Sequence, residues 1–406
     1  MTTASPMSST CPDPMKQEQR TVHNPYEGVD WENAWRVPSA THMHLVNQSG
    51  LMNAHRYGIR HFPISNYYPS APYDASTRLS DFRLRQWWPA MRDGSRVEPP
   101  INWNDIVNWR DELAAPYNSQ VPFEETEPTY SAIPDDALLS HNAEHHGFSN
   151  SQAHICSPGS SFASGTFDVH NNFQLNGHGF PVGFGGPWQT AFEGMIDGLD
   201  YPDGGGITIN HPTWFSKFTD EQVVEMLDFD DRVLGIEIYN DYSRKRDWHQ
   251  NSDYVAPDEP EQGFSVRLWD RILLTGRRCW GFCVPDHSAG NGNWQGRCML
   301  VVREHTEHAC LKAYRDGSFY ACLTGNGPVV QRFEATETSV SVTLSSPAEI
   351  RFVANAAVVK TVTGDHSTFE IPHKNGSAAV AYVRVEVRDE GGERLFLQPV
   401  RYGAGV

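Results

Sequence analysis

The sequence predicts an α/β domain built on a parallel sheet, open or closed into a barrel, followed by a small antiparallel β-sandwich. Three observations predict it. Short apolar runs alternate with amphipathic helical stretches through the first three quarters of the chain. Past about residue 317 the pattern changes to strict alternation of apolar and polar residues. At 406 residues the chain also exceeds what one ordinary core holds, so a large domain and a smaller one are expected.

The strand-like runs are 40–46, 60–65, 137–144, 153–157, 206–210, 233–239 and 279–284. Between them lie helical stretches at 188–199, 220–227, 264–275 and 306–314. The second of these is opened by Thr219 as a cap with Asp220 and Glu221 in its first turn, and the third is stopped by Gly276. From 67 to 134 the rhythm breaks into a stretch rich in Pro, Trp, Asn and Asp, with one short helix-like piece near 105–113. Such an insertion is either a lid or substrate-binding loop, or a surface decoration packing Trp87, Trp88, Trp103 and Trp109 on the domain wall.

The domain boundaries follow. Residues 1–37 read as a flexible lead-in, 38–317 as the catalytic domain and 318–406 as the β-sandwich. In the last of these, Val340, Val342 and Leu344 share one face, and Val383, Val385 and Val387 repeat this opposite Tyr382, Arg384 and Glu386. Turn signals stand at Asn326-Gly327, Thr363-Gly364-Asp365 and Gly391-Gly392.

Composition narrows the function. A net charge of −18 repels phosphate backbones, so a small-molecule substrate is expected and nucleic acid is not. No apolar run reaches the length of a membrane span. The first nineteen residues lack the basic start and apolar core of a secretory signal, which favours the cytoplasm by default. Seven scattered cysteines without a paired CxxC suit reduced thiols, with Cys279 and Cys283 reading as buried small hydrophobes.

The chemistry concentrates at the ends of the strand-like runs. Thr41-His42-Met43-His44 puts two imidazoles at i and i+2, on one side of a strand, where both can bind one ion. Among 18 histidines one such pair is weak evidence, but it ends the first run, and α/β barrels carry their sites at strand C-termini. Glu144 ends the third run, His154 opens the fourth, His211 follows 207–210 and is fixed by Pro212, and Asp286-His287 follow 280–284. A carboxylate among imidazoles can bridge two cations about 3.5–4 Å apart that share a hydroxide. Nitrogen and oxygen donors without thiolates suit Zn, Mn or Fe. An amidohydrolase-type barrel also begins with HxH, but it bridges its metals with a mid-barrel Lys, and no Lys occurs between Lys16 and Lys217.

Taken in order, THMH at 41–44, AEHHGFSNSQAHICSPGS around Glu144 and His154, ITINHP at 207–212, GIEIYN at 235–240 and VPDHS at 284–288 resemble the polymerase and histidinol phosphatase (PHP) superfamily. The resemblance spans roughly 38–317, and YVRVE at 382–386 with Gln398-Pro399 resembles the C-terminal β module of its CehA-like branch. It implies a distorted (β/α)7-type PHP barrel. One metal would be held by His42, His44, Glu144 and Asp286, and a second by Glu144, His154 and His211. The family's third site is broken: Ser65-Asn66-Tyr67 stand where its Asp and His belong, and Gly50 occupies another ligand position. Two divalent ions are therefore expected, with His287 free as general acid, as a substrate ligand or as a hydrogen-bonder to a metal ligand.

Other residues rank lower. His145 and His146 read as structural, His170 as lining the cleft or, more often for a loop histidine, as solvated, and Glu237 and Asn240 either as hydrogen-bonders to metal ligands or, in the favoured reading, as buried structural hydrogen-bonders. Arg56, Arg60, Arg244 and Arg246 are phosphate clamps by residue type. The leading expectation is a phosphoesterase for a small organic phosphate, with Glu144, Asp286 and His287 at the reacting centre. The alternative is a carbamate, ester or amide hydrolase using the same two ions. An arginine cluster at the site would favour the first and a Trp/Phe wall the second. A non-catalytic metal- or glycan-binding role is the third.

Overall fold

The computed structural model describes residues 21–45, 48–65, 132–145, 148, 150–162, 187–214, 218–245, 261–289 and 292–403. Most of the 67–134 insertion with its four tryptophans, and Cys11, Asn66, Tyr67, His146, His170 and Arg246, lie outside the described residues.

Two groups of parallel strands form the α/β part. Ile207–Ile209, Val233–Asn240 and Trp280–Val284 pair in parallel, as do Trp35–Ser39, His61–Pro63 and Leu138–Ser140. One or two backbone bonds at a time link the groups at their C-terminal ends. Met43 bridges Asp286, Ser65 N donates to Met43 O at 3.0 Å, and Glu144 N donates to Ser65 O at 3.1 Å. Regular ladders do not continue across these links. The all-parallel expectation fails in one place: Glu144–His145 and Ile155–Cys156 pair antiparallel, and the latter is antiparallel to Ile207–Ile209 as well. A parallel return needs a crossover of a dozen or more residues, and the link between these two strands is shorter.

Val233–Asn240 is buried along its whole length. It is covered by Asp220–Leu227 and Val266–Leu274, which bury Val223, Met226, Leu268, Trp269 and Ile272 against Ile236 and Ile238. The first of these helices has the predicted Thr219 cap in full: Gln222 N donates to Thr219 Oγ1 at 3.3 Å, and Thr219 N donates to Gln222 Oε1 at 2.9 Å. The helix Gln48–Arg56 was not predicted; it has no acidic first turn and contains Gly50 and Asn53. Among the described residues no helix is long and apolar enough to cross a membrane.

The C-terminal strands are antiparallel as predicted, but they join the α/β part in one hydrogen-bonded sheet. Arg297–Val302 pairs with Trp35–Ser39 on one side and Phe319–Cys322 on the other, and the path continues through Arg394–Leu397 to Tyr382–Arg388. The boundary drawn at 317/318 therefore crosses a continuous sheet. Residues 21–37, predicted as lead-in, are corrected to structure: Thr21–His23 pairs with Val400–Gly403, and Trp35 begins the strand that leads to His42. Thr363-Gly364-Asp365 is corrected from a turn to the interior of Ala357–Glu370, where the register with Ser339–Ala354 slips.

Burial on Tyr382–Arg388 also differs from the one-sided expectation. Val383, Val385 and Val387 are buried, and so are Tyr382, Arg384 and Glu386, because the opposite face lies against Val266–Leu274. There Arg384 Nε and Nη2 each donate to Asp270 at 2.7 Å, Nη1 donates to Glu386 at 2.5 Å, and Tyr382 OH donates to Asp270 at 2.6 Å. The guanidinium also lies 5.0 Å from the Trp269 ring centroid. Gln398 completes the seam: its amide accepts from Gly281 N at 2.8 Å and donates to Gly281 O at 2.9 Å, as a neighbouring strand would. The six described cysteines are buried and free, and burial pushes the Cys279 thiol up to about 12.

Candidate metal centre

His42 and His44 lie just past the strand Trp35–Ser39, not within a strand spanning 40–46. Alternation survives there because Asp286 N donates to His42 O at 2.9 Å and Met43 bridges Asp286. Met43 points into a core with Leu51 and Phe62, so its two neighbours point the other way. Their Nε2 atoms stand 3.1 Å apart.

The predicted ligands converge on one buried carboxylate. Glu144 Oε2 lies 3.4 Å from His42 Nε2 and 3.1 Å from His44 Nε2. Glu144 Oε1 lies 3.1 Å from His154 Nδ1 and 3.7 Å from His211 Nε2. Asp286 Oδ1 closes the first group, 3.3 Å from His42 Nε2 and 3.5 Å from His44 Nε2. His287 joins from the side, its ring stacked on His44 with centroids 3.9 Å apart and its side chain 30% exposed. Among the described residues, ligand-type atoms come within 4.8 Å of one another in three trios: His42–Glu144–His211, His42–His44–Asp286 and His44–Glu144–His287.

In these three trios the separations fit divalent cations, whereas His154, though 3.1 Å from Glu144, joins none of them. Donors about 2.0–2.2 Å from a tetrahedral ion are roughly 3.3–3.6 Å from each other. The charges fit as well. Burial opposes a charged His42, yet the carboxylates of Asp286, Glu144 and Glu237 outweigh it and raise its pKa well above the ordinary imidazole value. Glu144 and Asp286 are likewise held ionised below their usual range, burial being overcome by His42 and the other imidazoles. A buried cluster of carboxylates that retains protons on imidazole is one that a cation can replace those protons in. Cys156 lies beneath, its sulfur 3.2 Å from the Asn210 side-chain amide, but burial raises its pKa and keeps it a thiol.

Glu237 ranked low from the sequence, and the structure makes it the hub that orients the ligands. Its Oε1 meets His42 Nδ1 at 2.7 Å, and its Oε2 accepts from His211 N at 2.7 Å and Asn240 Nδ2 at 2.9 Å. Asn240 also donates to Asp286 Oδ2 at 3.1 Å. The signal was available: an acid inside an otherwise apolar buried strand needs partners. Glu237→Gln is expected to weaken divalent-ion affinity about 10–100-fold, measured by chelator competition; an unchanged affinity would show that His42 orients itself.

Two site residues sit in left-handed backbone without being glycine: His211 at φ 26° and Asp286 at φ 54°. Both lie at strand ends, and Pro212 further restricts His211. Ser65, at the break in the resemblance, is buried and bonds the Met43 backbone, accepting from its N at 2.9 Å and donating to its O at 3.2 Å. Of the lower-ranked residues, His145 is buried against Ser157 Oγ at 3.0 Å, which bears out a structural role. Arg60 is engaged by Asp136 at 2.7 Å, and Arg244 by Asp241 at 2.9 Å and Tyr239 at 2.8 Å. Aromatic rings stand closer to the ligands: Trp214 lies edge-on to His211 at 4.9 Å, and Tyr242 lies 4.8 Å from His287.

No family model matches the chain, and no curated protein matches it. Among solved structures, a two-domain protein containing a predicted PHP-like metal-dependent phosphoesterase from Bacteroides vulgatus ATCC 8482 is 11% identical with a TM-score of 0.35. That match covers 89% of this chain and 92% of the other. Similarity this low leaves fold and function to be argued from this chain's own residues.

Proposed function

We propose that the chain is a metal-dependent hydrolase on a distorted seven-stranded PHP-type barrel, acting on a small organic phosphate ester. The observation that carries this is the division of Glu144, one oxygen toward His42 and His44 and the other toward His154 and His211. Two divalent cations, Zn, Mn or Fe, would supply Lewis acidity and activate water at neutral pH. His42, His44, Asp286 and Glu144 would hold the first ion, and Glu144, His154 and His211 the second. Glu237 and Asn240 fix the rings and carboxylates at the ligand positions. Burial and the adjacent His44 push the His287 pKa down, which keeps this imidazole neutral at neutral pH. A neutral His287 suits hydrogen bonding to the substrate better than storing a proton as general acid.

A second reading, hydrolysis of a carbamate, ester or amide, is favoured by Trp214 and Tyr242 beside the ligands and by the prior engagement of Arg60 and Arg244. Protein loaded with Mn or Zn and offered p-nitrophenyl phosphate and matched aryl carbamates and esters separates the two. We expect phosphate release to exceed carbamate cleavage by about 10²-fold or more in kcat/KM. The reverse order replaces the first reading with the second, and no turnover on either set overturns both.

A further inference from the structure

We propose that the seam between the C-terminal strands and the helix Val266–Leu274 is a second binding site, for a small organic anion with a phosphate, sulfonate or carboxylate beside a ring. A cavity of about 300 Å³ lies there, lined by Arg267, Arg351, Arg384, Arg388 and Arg394. Five guanidinium groups in one cavity run against the net charge of −18.

The strand register makes the crowding costly. Arg388 stands directly opposite Arg394, and like charges in that position destabilise a sheet. Among the described residues, the acids paired with Arg351, Arg384, Arg388 and Arg394 offset only part of this. Arg384 uses Asp270 and Glu386 fully, Arg394 holds Glu261 at 2.8 Å, and Arg351 holds Glu349 at 2.6 Å. Arg388 is left with Glu386, already taken by Arg384, at 3.6 Å. Among the described residues, the Nε atoms of Arg351 and Arg388 are buried without a hydrogen-bond partner. Burial, then Arg394 and Arg351, lower the Arg388 pKa, outweighing the opposing carboxylates of Glu386 and Glu261.

The planar fork of arginine matches phosphate, sulfonate and carboxylate oxygens. A ring beside the anion has apolar walls to lie on: Phe264 and Phe396 line the cavity, and the Arg394 guanidinium lies 5.1 Å from the Phe264 centroid. Glu261 and Phe264 also line a small pocket beside His211 and Asn240, so the segment 261–265 forms a wall common to this site and the metal centre.

Benzenesulfonate tests the proposal, because it carries both anion and ring and is a poor ligand for divalent ions. Calorimetric titration of the full, metal-loaded chain is expected to show one molecule bound per chain, with sulfate binding more weakly and benzyl alcohol not at all. Arg388→Ala and Arg351→Ala should each weaken binding at least about tenfold. Arg388→Lys keeps the charge without the fork and should fall between. Glu144→Gln should leave the affinity unchanged. Undiminished binding in the alanine variants, no binding to wild type, or loss in Glu144→Gln would each overturn the proposal.

Discussion

Glu144→Gln is expected to remove at least one divalent ion per chain and to lower turnover by about 10³-fold or more, read by elemental analysis of purified protein and by kcat. The substitution keeps the shape of the side chain but removes its charge and converts one oxygen to an amide nitrogen that cannot ligate a cation. Both groups of imidazoles meet at this one carboxylate, so the loss reaches each of them. Wild type should carry about two ions. A stoichiometry of three would mean that the His44–Glu144–His287 trio also fills. Unchanged loading in the variant would remove Glu144 as the bridge. Asp286→Asn supplies a contrast: of the two imidazole groups it meets the His42–His44 pair, so an ion at His154 and His211 should stay.

Much of this centre was legible because its chemistry is local in sequence. His42 and His44 are two residues apart, and each further ligand stands at the end of an apolar run that has to be a buried strand. Burial also made the parallel core readable: eight consecutive buried positions at Val233–Asn240 appear in the sequence as an apolar run. What was missed depends on partners far along the chain. Glu237 reads from the sequence as a buried acid that needs a partner, but which partner was hidden, because His42 stands 195 positions away. The antiparallel turn at Ile155–Cys156 occupies two residues, too few to show a period. Thr21–His23 is stable only through Val400–Gly403, at the other end of the chain, so by itself it read as lead-in. Arg384 and Glu386 looked exposed because alternation reports one buried face, and the helix that buries the second face lies more than a hundred residues earlier.

That buried face gives the largest stability effect expected in the molecule. Asp270→Ala should destabilise the fold by about 3–5 kcal/mol, measured as a shift in the urea midpoint. The reason is asymmetry. In wild type two carboxylates surround Arg384, and Asp270 accepts two of its N–H groups as well as the Tyr382 hydroxyl. Removing Asp270 strands a buried guanidinium on Glu386 alone and leaves the Tyr382 hydroxyl without its acceptor. The exposed pair Arg277–Asp228 has similar geometry, with Nε to Oδ1 at 2.7 Å, yet Asp228→Ala should cost no more than about 1 kcal/mol, because water replaces the lost partner. Arg384→Met should cost less than Arg384→Ala, since methionine refills the space over Trp269 that alanine leaves empty. In the double variant Asp270→Ala/Arg384→Ala the two losses should fall well short of adding, since the unpaired charge that dominates Asp270→Ala is no longer present. A midpoint for Asp270→Ala within about 1 kcal/mol of wild type would show that Glu386 alone satisfies Arg384, and the seam would then rest on Gln398 and apolar packing.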